Sequence, residues 1–123
     1  MAFKLGSKRN NEVPLSFKKD SDEIPGTPVL RKKLDGGILG EANNDGSIFI
    51  SDKLVPGSIE EQHVIMHEMV HQTDMKIGKL AYDDNYIKWN GRVYERKNGM
   101  INYNGEMLPE GSKEFPWEQM PWE

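Results

Sequence analysis

Cysteine is absent from this chain, and its absence removes three chemistries: a disulfide framework, thiolate ligands for a metal, and a cysteine nucleophile. No apolar run approaches the roughly 20 residues of a membrane span, and the first residues lack the apolar centre of an export signal. The chain is therefore expected to be neither membrane-bound nor secreted by a signal of its own. Positive charge is not in excess. A formal net charge of −4 argues against a surface that tracks nucleic-acid phosphates, and the basic residues Lys4, Lys8, Arg9, Lys18 and Lys19 sit in an uneven polar arm rather than on a helix face. Length is short as well: 123 residues, 36% hydrophobic and 29% charged, suit one globular domain with polar appendages and leave no room for two catalytic lobes.

Histidine is scarce too, with three in the chain, yet two of them fall in His67-Glu68-Met69-Val70-His71. On an α-helix this H-E-x-x-H spacing sets two imidazoles one turn apart with a carboxylate between them. Imidazole nitrogens suit Zn²⁺, an open coordination position admits water whose pKa the metal lowers to about 7, and the intervening Glu68 is placed to act as general base. His67 and His71 are thus the candidate ligands and Glu68 the candidate catalytic residue. Ser58 followed by Glu61, just after Pro56-Gly57, forms a capping-box pattern that starts the helix near Ile59, and Gly78 stops it. At 100° per residue, Ile59, Met66, Val70, Thr73 and Ile77 form an apolar stripe expected to face the core. His63, His67, His71 and Asp74 adjoin it, with Asp74 a candidate partner for the second ring nitrogen of His71. Glu61, Gln72, Lys76 and Lys79 are expected to be wet. His63 reads as an ordinary histidine, because a third ligand one turn earlier would crowd the open position.

Zinc needs a third protein ligand. The long H-E-x-x-H-x-x-G-x-x-H form is excluded, since Asp74 and Ile77 stand where its Gly and third His belong. Two carboxylates remain: Asp84, in the loop after the helix, and Glu118, in Phe115-Pro116-Trp117-Glu118. Glu118 is favoured, because a carboxylate flanked by aromatic residues is easier to bury beside a metal, while Asp84 requires an immediate chain reversal.

Residues 1–26 are polar and aperiodic and read as an extended arm expected to dock on a partner, or on its own domain through Phe3, Leu15 and Phe17. Residues 27–123 form the domain. Short strands are expected at Val29–Arg31, Gly37–Gly40 and Ser47–Ser51, the last an edge strand beside the helix of the kind that pairs with an extended substrate. After the helix, Ile87–Tyr94 and Ile101–Leu108 repeat an apolar-x-aromatic-Asn-Gly pattern, which predicts two tandem hairpins. Arg92, Arg96 and Lys97 give that region positive charge, suited to a substrate carboxylate or a solvated strand face. The tail repeats Pro-Trp-Glu, and Trp117 is expected to pack on the domain or a partner.

Taken together, Ile24–Val29, Gly40–Ile48, the stretch from His67 to Lys79, the tandem Asn-Gly hairpins and Phe115–Glu118 resemble the small H-E-x-x-H zincin-like proteins encoded by tailed bacteriophages. The resemblance spans roughly residues 24–118. It implies a minimal zincin-like metallopeptidase domain of α+β class, possible carriage in the virion, and Pro116-Trp117-Glu118 as the segment bearing the third ligand. The expectation is an α+β fold with one active-site helix at about 59–78, a small antiparallel sheet and two hairpins. Its function would be a zinc-dependent hydrolase acting on a polypeptide in the virion or host cytoplasm. The alternative is a virion structural protein, an adaptor or decoration, that keeps the fold and at most a structural metal.

Overall fold

Three Asn-Gly dipeptides shape the second half of the chain. Asn90 and Gly91, Asn98 and Gly99, and Asn104 and Gly105 all have positive φ, the combination that a two-residue type I′ hairpin turn requires and that Asn-Gly supplies at least strain. The computed structural model, which describes residues 2–6 and 27–120, accordingly folds this half into a continuous meander. Its strands are β5 (Leu80–Tyr82), β6 (Tyr86–Trp89), β7 (Arg92–Lys97), β8 (Met100–Tyr103) and β9 (Glu106–Pro109), antiparallel and in sequence order. The two expected hairpins are β6–β7 and β8–β9, and the Asn98-Gly99 turn, which the duplicated pattern does not include, joins them into one sheet. Most of the polar arm, with Leu15 and Phe17, and the final Pro121-Trp122-Glu123 lie outside the described residues.

The first half forms a four-stranded mixed sheet from β1 (Ala2–Leu5), β2 (Val29–Lys32), β3 (Ile38–Ala42) and β4 (Ile48–Ser51), in the order β1-β3-β4-β2. β3 and β4 are antiparallel, whereas β1 runs parallel to β3 and β2 parallel to β4. The Ser47–Ser51 segment is therefore not an edge strand. β2 takes the side that the edge reading left open, and all four positions of β4 are buried; the outer strands are β1 and β2. Among the described residues the fold is thus α+β, with one α-helix and two sheets, and no helix is long and apolar enough to cross a membrane.

The helix, α1 (Ile59–Lys76), begins where the cap predicts: Ser58 Oγ accepts the Glu61 N–H at 3.1 Å. Glu61 does not complete the box on Ser58; its carboxylate accepts the Gly57 N–H at 2.9 Å and pairs with Arg31 of β2. That N–H first, and Arg31 with it, hold the Glu61 carboxyl below its ordinary range against the opposing effect of burial. Gly78, at φ 84°, turns the chain out of the helix.

The face α1 turns inward is the reverse of the expected one. Ile59, Met66 and Ile77 are 73%, 44% and 64% exposed, while the buried helical residues are Glu61, Val64, His67, Glu68 and His71. Gln72 is half-buried rather than wet, its amide donating to the Asn43 and Ser47 carbonyls, each at 2.9 Å. Only one stripe of a helix can meet the sheet, and here the groups that bind specific partners occupy it: Arg31, the β3–β4 turn and Glu118 all lie on that side. Apolar contact on this side comes from Val64, which joins Phe3, Ile48, Ile50 and Leu54 in a core under the helix. A second core, built on Phe115 and Trp117 stacked at 4.7 Å, packs Ile87, Tyr94 and Ile101 of the meander against Leu5 and Ala42. Trp117 is buried there, as its sequence context predicts. β1 belongs to both cores, through Phe3 in one and Leu5 in the other.

Candidate metal centre

His67 and His71 lie four residues apart, so one turn of α1 stacks them on its buried face. The segment that meets them comes from the far end of the domain. Phe115 and Trp117 are anchored in the second core, Pro116 opens a single 3-10 turn over Pro116–Glu118, and this turn directs Glu118 back toward the helix. Glu118 Oε1 lies 2.7 Å from His67 Nε2 and 3.0 Å from His71 Nε2. Donor atoms from the three residues all fall within 4.8 Å of one another. His67, His71 and Glu118 are 1%, 0% and 2% exposed.

No known protein family, curated protein or solved structure matches the chain.

Burial acting alone would raise the Glu118 carboxyl, but the charge of His71 and the hydrogen bonds from both rings outweigh it and hold the group at about 2. Glu118 is thus an anion at neutral pH, facing two imidazoles that present the same ring nitrogen. Two nitrogens and one carboxylate oxygen form a donor set that suits zinc and leaves a fourth position. Two donors about 2.1 Å from a tetrahedral ion stand about 3.4 Å apart, so the observed 2.7 and 3.0 Å need to open by about 0.7 and 0.4 Å to admit one. The chemistry and the scale of the cluster fit that ion.

Glu68 is fully buried on the same helix. Its room is made by β3, where a Cβ at Gly40 would stand 2.6 Å from Glu68 Oε2 and 2.8 Å from a Val64 methyl. Phe3 of β1 lies flat on the His67 ring, with centroids 3.6 Å apart and planes inclined by 6°.

The other candidate residues lie elsewhere. Asp84 is exposed in the turn between β5 and β6, and neither it nor the half-buried His63 belongs to the His67–His71–Glu118 group. Asp74 does not support His71, because the buried Nδ1 of that ring has no hydrogen-bond partner. Arg96 neither solvates a strand face nor awaits a carboxylate from solution. It is 8% exposed and donates to the Leu5, Gly6 and Asp83 carbonyls at 2.7, 3.0 and 3.0 Å and to Glu110 at 2.9 Å. Sequence reasoning gave Phe3 and Gly40 no part at the cluster, and no local signal marks either: their positions follow from strand pairings that bring residues distant in sequence together. A surface depression of about 550 Å³, lined by Asn44, Asp45, Met69, Gln72, Lys76 and Tyr82, touches none of the four central residues.

Proposed function

We propose that the chain is a zinc-dependent peptide hydrolase with a zincin-like fold, of tailed-phage origin, in which His67, His71 and Glu118 hold the metal and Glu68 is the general base. The observation that carries this reading is the convergence of two imidazole nitrogens and one carboxylate oxygen in a buried cluster, with a second carboxylate, that of the fully buried Glu68, on the same helix. When bound, the ion would supply a Lewis acid and a water of pKa near 7. Glu68 would take that water's proton and deliver it to the leaving amine, a transfer for which a carboxylate that is not itself a ligand is required. Glu118 would balance the ion's charge. The substrate would be a polypeptide of the virion or host.

A second reading has a specific observation in its favour. His67, Glu68, His71 and Glu118 are all between 0% and 2% exposed, which is how a closed structural site looks. In that reading the chain is a virion adaptor or decoration and the metal only stabilises it. Metal analysis with a Glu68→Gln comparison separates the two. Native protein should carry about one zinc per chain, and His67→Ala or His71→Ala should lose it. Glu68→Gln should keep zinc and fold but lose peptide hydrolysis if the site is catalytic. A native protein without metal, unaffected in stability by chelators, would reject both forms of the metal reading.

A further inference from the structure

A hydrolytic site must admit water and a chain to be cut, yet the four central residues are sealed. One strand, β1, lies directly over part of this cluster. Phe3 and Leu5, two residues apart, point to the same side. Phe3 covers the His67 ring, and Leu5 packs in the second core with Phe115 and Trp117, whose turn carries Glu118.

Much of what holds β1 is main-chain recognition. It pairs with β3 in parallel register, the Gly6 N–H donates to the Ala42 carbonyl at 2.7 Å, and the Arg96 guanidinium takes the Leu5 and Gly6 carbonyls at 2.7 and 3.0 Å. Arg96 is fixed from behind by Asp83 and Glu110, so its two forward donors do not depend on β1 for their position. On the outer side Gly111, at φ +85°, runs so close that a Cβ there would meet the Phe3 carbonyl oxygen at 2.4 Å. A slot that binds two carbonyls, adds a strand to a sheet edge and accepts apolar side chains at alternate positions recognises an extended peptide, with little demand on its sequence.

We propose that the groove filled by Ala2–Gly6 is the polypeptide-binding groove of the metal centre, and that β1 is its intramolecular occupant, closing the site until an extended peptide with apolar residues at alternate positions displaces it. The catalytic meaning of the closure rests on the hydrolase reading; the binding groove does not.

The absence of cysteine makes the test clean. Lys4 and Glu41 are register partners whose side chains meet at 3.1 Å, so Lys4→Cys with Glu41→Cys in the full chain places two thiols where a disulfide ties β1 to β3. The probe is a fluorescein-labelled peptide of sequence Ala-Phe-Lys-Leu-Gly, followed by anisotropy. The reduced protein should bind it saturably and the oxidised protein at least tenfold more weakly, with zinc transfer to a chelator at least tenfold slower after oxidation. Phe3→Ala, which needs no cross-link, should raise peptide affinity at least tenfold by weakening the resident strand. Equal peptide binding in both redox states, or none in either state and none with Phe3→Ala, would overturn the proposal and make β1 a permanent strand. Redox-dependent peptide binding by a protein that holds no zinc would keep the groove and remove the metal reading. Hydrolysis that ignores the cross-link would do the opposite.

Discussion

Replacing Glu118 by Gln is the most searching perturbation of the centre, because it changes one charge and almost no volume. The carboxylate is 2% exposed, lies 2.7 and 3.0 Å from the two imidazole nitrogens, and is held anionic with its carboxyl at about 2. It is the single anion in the three-residue donor group. Structural zinc sites bind with about 10–16 kcal/mol in total. Divided evenly over three protein ligands, that is roughly 3–5 kcal/mol each, or a loss of about 10²–10⁴ in affinity at 1.4 kcal/mol per decade. Competition against a chromophoric chelator measures such a change directly. Asp84→Asn, at an exposed turn position, is the control and should move affinity by less than about threefold. The reasoning fails if the two variants change affinity equally, or if Asp84→Asn has the larger effect, because the carboxylate completing the site would then not be the one between the two rings.

Three further outcomes follow from the same geometry. Glu68→Gln should leave zinc content and thermal stability near wild type while abolishing cleavage of a polypeptide substrate; a variant that loses zinc instead would make Glu68 a ligand. Gly40→Ala should lower both stability and hydrolysis without changing the zinc ligands, since its Cβ would meet Glu68 Oε2 at 2.6 Å and Val64 at 2.8 Å; unchanged turnover would show that Glu68 does not need its present position. In metal-free protein, Glu118 is depressed from 4.5 to about 2. Its stabilisation is therefore fully present above about pH 4.5 and is lost as pH falls through about 2, so thermal melts should show an acid decline over that window that Glu118→Gln lacks.

Local chemistry made much of this fold legible. Ser58 marks the start of α1, Gly78 its end, and each Asn-Gly pair a turn, because caps and positive-φ turns are decided by one or two residues. The four-residue spacing of His67 and His71 likewise puts them on one face whatever surrounds them. What could not be read depends on distant partners. The parallel pairings of β1 with β3 and β2 with β4 carry no turn signature, so the edge position of Ser47–Ser51 was misjudged and the link from Phe3 to His67 was out of reach. Arg96 looks like any strand cation until the Leu5 and Gly6 carbonyls, some 90 residues away, are seen beside it. Glu118 was legible only through its aromatic neighbours, whose burial fixes the turn that carries it.

The apolar stripe of α1 misled for a different reason, and the inversion has a consequence for how this helix tolerates change. In most amphipathic helices a saturation-mutagenesis map shows intolerance at the hydrophobic positions and freedom at the charged ones. Here the map should read as its negative image. Ile59, Met66 and Ile77 face solvent and can accept Lys, Glu or Gln without disturbing a packed neighbour. Glu61 is held by the Gly57 N–H and Arg31, and Glu68 is enclosed beside Gly40 and Val64; a change to Leu or Ala at His67 or His71 would take a hydrogen-bond partner from the buried Glu118. Selection for solubility would therefore rewrite the hydrophobic face first, leaving a lineage of helices whose shared residues are the polar ones. A search of diverged sequences keyed to hydrophobic periodicity would pass over them, whereas one keyed to the spacing of Glu61, His67, Glu68 and His71 would not.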